Sequence, residues 1–221
     1  FGRSLEPLDF SVLNWSVLAD LLDCYSDSLE SFRSEELYKW EAVSWFQRTW
    51  DLDAGDFSSM LAEAFSEAGN LLTGRIYYPL GMLEEFAKHD PESLRSAFRG
   101  LLNETKPLVE RMERFTTDAE SQLSALNVER ERHGEEPAKN HFQDPHALSV
   151  YLAFANGEHH YLYKKDLYHR ISAILGADRP SNKFDKVAAY EKLCDTILDY
   201  LELRRPEIIA ESDSLLNETC T

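Results

Sequence analysis

Between Thr105 and Leu126 the apolar residues Leu108, Val109, Met112, Phe115, Ala119, Leu123 and Leu126 recur three or four positions apart. That spacing places them on one stripe of an α-helix, and a chain that repeats it has to fold by packing helices on one another. The pattern does repeat. Phe57, Met60, Leu61, Ala64, Phe65 and Ala68 follow it. So do Leu18, Leu21, Leu22, Tyr25, Leu29 and Phe32, in a helix expected from about Pro7 to Phe32. A second helix is expected from Glu35 to Trp50, with Trp40, Val43, Phe46 and Trp50 on one side and Trp45 off that stripe. Leu167, Ile171 and Ile174 predict a helix ended by Gly176, and Val187, Tyr190, Leu193, Cys194, Ile197, Leu198 and Leu201 predict another. Asp90 before Pro91 and Asp144 before Pro145 mark two helix starts, because the carboxylate accepts backbone amides and proline suits the first helical position.

One segment has the other period. In HHYLYKK, His159, Tyr161 and Tyr163 alternate with His160, Leu162 and Lys164, as in a strand. The expected fold is therefore mainly α, an α+β helical domain with a small β element near residues 158–165. The charged stretch VERERHGEEPAKN, Val128 to Asn140, contains Gly134 and Pro137 and reads as a loop, with an internal boundary near 128–139.

Charge narrows the function. Twenty-three basic residues against 40 acidic ones give a net charge of −17, a field that repels anions and argues against simple coating of duplex DNA. Arg130 to Arg170 is the neutral exception, with six basic and six acidic residues and six of the seven histidines. There Tyr151, Tyr161, Tyr163 and Tyr168 interleave with cations, a mixture that can pair phosphates while stacking bases, or equally a set of half-buried tyrosines with wet hydroxyls. Cys24, Cys194 and Cys220 are few, far apart and odd in number, which fits reduced thiols in a cytoplasmic protein. No basic-then-apolar leader opens the chain and no apolar run approaches the length of a membrane span. The chain starts at Phe1, without a methionine, and reads as a piece of something longer.

Catalytic motifs are not found. GNLLTGRI, Gly69 to Ile76, has the glycine spacing of a phosphate-binding loop but puts Arg75 and Ile76 where that loop needs Lys and Ser or Thr. A helical pattern precedes it in place of a strand, so Gly69 is expected to close that helix in the left-handed conformation. His159 and His160, adjacent on an expected strand, would point to opposite faces and share no ion. No G-x-S-x-G occurs and no Cys stands beside a His. No catalytic residue, metal or cofactor is expected, and the chain alone is expected not to be an enzyme.

Three blocks taken together resemble a known family: ELYKWEAVSWFQRTWDLDAGDFSSMLAEAF, GNLLTGRIYYPLGMLEEFAKHDPESLRSAFRGLLNE and NHFQDPHALSVYLAFANGEHHYLYK. In order and spacing they are similar to the N-terminal region of McrB-like AAA+ proteins of modification-dependent restriction systems. The resemblance runs from Glu35 to the C-terminal helix. Residues 1–34 have no counterpart in it and are expected to form an N-terminal helical extension; for 35–221 it implies a recognition domain, followed by an AAA+ motor that carries the nucleotide motifs and works with a separate nuclease subunit. The function it implies is that of a specificity module for DNA, modified or not, in anti-phage defence. The rival is a protein–protein adaptor or assembly domain of the same system without DNA contact. For the DNA reading the candidate contacts are Asn140, His141 and Gln143 at base edges, Tyr161 and Tyr163 as stacking rings, and Lys164, Lys165 and Arg170 at phosphates, with Arg75 and Tyr77 as neighbours.

Overall fold

In a computed structural model of the chain, residues 13–217 are described, apart from the side chains at 30, 32–35 and 215–217. Ten α-helices and one short 3-10 turn make up the described fold, which is mainly α as the periodicity predicts. They are α1 (Trp15–Thr49), α2 (Phe57–Ala64), α3 (Gly69–Leu72), α4 (Pro79–His89), α5 (Pro91–Leu101), α6 (Leu108–Arg132), α7 (Pro145–Ala155), α8 (Lys165–Leu175), α9 (Lys183–Arg204) and α10 (Pro206–Asn217). The 3-10 turn is Ser66–Ala68. The chain divides into two compact units, one formed by residues 39–163 and the other by 1–38 with 164–221.

The larger unit is organised around α7. Every residue from Ala147 to Phe154 is buried, so this helix has no polar face and must be enclosed on all sides. Its aromatic residues meet a ring cluster drawn from distant parts of the sequence. Phe65 lies 5.4 Å from Tyr151, Phe46 lies 5.6 Å from Phe154, and Trp50 sits edge-on to Phe98 at 5.0 Å. The Asp–Pro starts form as expected: the Asp90 side chain accepts from the Ser93 amide and that of Asp144 from the Ala147 amide, each at 3.0 Å. On α6 the buried stripe contains Met112, Phe115, Ala119 and Leu126.

In the smaller unit, Leu18, Leu22 and Leu29 of α1 are buried, as are Tyr168 and Leu175 of α8, Phe184, Val187 and Leu193 of α9, and Ile208 of α10. Trp15 stacks on Tyr200 at 5.1 Å, and the Asn14 amide donates to the carbonyl of Leu175. Gly176 ends α8 with φ of 75°, a left-handed position that a side chain would strain.

Several expectations change. Among the described residues there is no strand: 158–165 alternates without a partner. The amides of His159 and His160 instead turn back to the carbonyl of Asn156, and the Tyr163 amide donates to Ser149 Oγ. The two expected N-terminal helices are one, because neither Gly nor Pro interrupts the sequence between them. The expected start near Pro7 lies outside the described residues. Gly69 is right-handed, at φ −50° and ψ −46°, and opens α3; the turn at Ser66–Ala68 has already ended the preceding helix. Val128 to Arg132 is the last part of α6, so the loop begins only at His133. Trp45 is held by donation from Nε1 to the Glu63 carbonyl, whereas Trp40 is the exposed tryptophan.

Candidate functional site

The residues singled out for DNA contact fall in both units and in two classes. The first class is mostly engaged by the fold, although Asn140 is exposed. Gln143 is buried, its amide nitrogen donates to the carbonyls of Pro79 and His141, and its oxygen accepts from the Tyr151 hydroxyl at 2.7 Å. No hydrogen-bonding atom of that side chain is left to read a base edge. Tyr163 is buried too, its amide bonded to Ser149 and its carbonyl 2.7 Å from His146 Nδ1. Tyr77 is half-buried and donates its hydroxyl to Asp144 at 2.8 Å. Burial first, and then the charge of Asp144, push that phenol well above its ordinary value. His141 Nδ1 accepts from the Gln143 amide, and the Asn140 side chain caps the Phe142 amide at 2.7 Å. This turn holds Phe142 at φ 57°, and Phe142 packs edge-on to Tyr77 at 6.0 Å. Asn140, His141 and Gln143 thus share one turn, against which Tyr77 packs through Phe142 and Asp144. Their polar atoms largely hold it.

The second class is exposed. Arg75 stands in a turn beside Ile76, which is 84% exposed, and Tyr78 closes that turn by donating its hydroxyl to the Arg75 carbonyl. Lys164, Lys165 and Arg170 are exposed at the start of α8 and along it, and Tyr161 is half-buried. Among the described residues, none of these four cations has a carboxylate within ion-pair distance. Arg48, Lys88, Arg132, Lys139, Arg179, Lys183, Lys186 and Lys192 share that state among the described residues, whereas Arg95, Arg99, Lys106, Arg111, Arg114, Arg130 and Arg205 each have a carboxylate partner.

A third arrangement has no sequence signal. Glu104, in the turn after α5, accepts from both terminal nitrogens of Arg111 at 3.0 Å and from His160 Nε2 at 2.8 Å. Arg111 and His160 are both buried. Partial burial pushes the Glu104 carboxyl up, but the hydrogen bonds from His160 and Arg111 outweigh it and hold the group below its ordinary value of 4.5. Glu104 also edges an open cleft of about 380 Å³ whose lining includes Phe46, Trp50, Leu102 and Asn156. His160 is 56 residues and Phe46 is 58 residues from Glu104 in sequence, so only the fold could assemble them.

Among the described residues no three metal-binding side chains gather, and no helix is long and apolar enough to cross a membrane. Cys24 is exposed, whereas burial, helped by Asp195 and Glu191, pushes the Cys194 thiol up to about 12. Because the thiolate is the reactive form, iodoacetamide at neutral pH should label Cys24 well before Cys194. Equal labelling in a peptide map would show that the α9 environment of Cys194 is wrong. Cys220 lies outside the described residues.

No protein-family model matches the chain, and no curated protein or solved structure matches it.

Proposed function

We propose that this chain is a recognition module that works by docking another protein, not by catalysis. The observation that carries this reading is the outer surface of α8. There Leu167 and Ile174 are exposed to 40% and 47% beside Lys164, Lys165 and Arg170, which have no ion-pair partner among the described residues. Large aliphatic side chains set among free cations suit a protein surface better than a phosphate backbone, which offers nothing apolar to cover them. The resemblance to McrB-like proteins supplies the setting: the module precedes an AAA+ motor in the same chain, and a docked partner alters what that motor passes to its nuclease subunit.

DNA recognition is the second reading, favoured by the same unpaired cations. It predicts steep salt dependence. Each duplex phosphate contacted by a cation adds about 0.9 to the slope of log affinity against log salt. Replacing Lys164, Lys165 and Arg170 together should then flatten the slope by up to about 2.7. The docking reading expects the chain to bind modified and unmodified duplexes no better than about 10⁻⁴ M at physiological salt, the weak end of non-specific binding. Fluorescence anisotropy with labelled duplexes decides between them: tight, modification-dependent binding that the triple variant loses would establish DNA recognition and remove the docking reading.

A further inference from the structure

Helix α8 is rotated relative to what its hydropathy predicts. The strongest apolar stripe in its sequence is Leu167, Ile171 and Ile174, yet the residues it buries in its own unit are Tyr168, Ser172 and Leu175. Leu167 and Ile174 are exposed and Ile171 is half-buried. At about 100° per residue the three outward residues fall within about 60° of one another, a continuous apolar strip two turns long. Cations frame it. Arg170 is one turn from both Leu167 and Ile174 and Lys164 is one turn before Leu167, whereas Lys165, two positions before Leu167, falls on the other side of the helix. Asp166 is the one acidic residue of α8.

Three kinds of occupant can be compared on charge and shape. A second α8 packed face to face would set one copy's Lys164 and Arg170 against the other's, which like-charge repulsion disfavours. A nucleic acid would satisfy the cations and leave the aliphatic strip against phosphate and water. An amphipathic helix with acidic flanks satisfies both: its own i, i+3, i+4 and i+7 residues cover the strip, and its carboxylates reach the cations at contact range, while at about 0.15 M salt the repulsion from the rest of the −17 chain is screened beyond about 8 Å. We infer that the outward face of α8 is a docking site for an acidic amphipathic helix of a partner protein. This rests on the docking reading above and specifies its surface and its ligand chemistry.

The test uses the whole chain and a fluorescein-labelled synthetic peptide of about 15 residues, with leucines at helical spacing and glutamates elsewhere. Its comparators are the same peptide with lysine for glutamate, a scrambled acidic peptide, and single-stranded and duplex DNA. Anisotropy should show the acidic amphipathic peptide binding at least about tenfold tighter than any comparator, with affinity falling as salt rises. The double variant Leu167→Glu with Ile174→Glu should weaken it tenfold or more, as should Leu167→Gln with Ile174→Gln. Both changes are at exposed sites, and unchanged melting by circular dichroism verifies that the fold is intact. A wild-type chain that binds acidic and basic peptides alike, or binds neither, overturns the α8 assignment; so does a double variant that binds like wild type. If peptides bind without charge preference, docking survives and α8 is the wrong surface. If only DNA binds, both fail.

Discussion

Phe115→Ala is expected to lower the free energy of unfolding by about 3–5 kcal/mol, the range for removing a fully buried aromatic ring. Phe115 is 1% exposed, sits edge-on to Phe98 at 5.2 Å, and lies 6.1 Å from Tyr151 on the central helix. The ring therefore joins α6 to α5 and α7 at once. Its removal leaves a void that backbones fixed by three helices cannot close, and the cavity adds to the loss of transfer free energy. Denaturant unfolding of wild type and variant measures the difference. A loss below about 1 kcal/mol would mean that this stripe of α6 is not core.

That stripe could be read directly from sequence, because a long helix with one covered face leaves its period in the hydropathy. The same holds for the Asp90 and Asp144 caps and for Gly176, where a local rule and the local structure coincide. The failures have a common physical origin in context. Alternation over 159–164 meets the pattern for a strand, but a strand needs a neighbour to pair with, and among the described residues no strand pairs with it. Leu167, Ile171 and Ile174 outrank Tyr168 and Ser172 in hydropathy. Even so, Tyr168 is the residue placed inward: its ring meets Tyr190 and its hydroxyl donates to the Asp178 carbonyl at 2.9 Å. The choice between two faces of one helix is made by what packs against it, which no window of 11 residues contains.

The polar residues show the same limit more sharply. Gln143 and Tyr163 have side chains that can bind a base, yet buried backbone and side-chain groups need partners too. Gln143 supplies those partners for Pro79 and Tyr151. Composition identifies a side chain capable of recognition. Whether its donors are free depends on atoms more than 60 residues away. The exposed cations differ in kind, since Lys164, Lys165 and Arg170 keep their charges in solvent whichever reading of the function holds.

Arg111 is the position where one substitution should expose the largest electrostatic debt. Its side chain is 3% exposed, bound to both oxygens of Glu104 and to the carbonyl of Leu101 at 2.8 Å, and its Nε is buried without a partner. Arg111→Ala removes a buried ion and leaves the Leu101 carbonyl and the Glu104–His160 pair uncompensated. Breaking such a buried pair costs about 3–5 kcal/mol, and the lower end applies here because Glu104 is itself 45% exposed and can regain water. Glu104→Gln isolates the pH-dependent part. The carboxyl is held below its ordinary value in the fold, so the unfolded chain takes up the proton first as pH falls. The stabilisation is therefore present above about pH 4.5 and is lost as pH drops through the lower folded value. Unfolding free energies measured from neutral pH down to pH 3 should fall less steeply for Glu104→Gln than for wild type, and for Arg111→Ala as well. Identical acid limbs in all three proteins would mean that the Arg111–Glu104–His160 network does not hold the turn between α5 and α6.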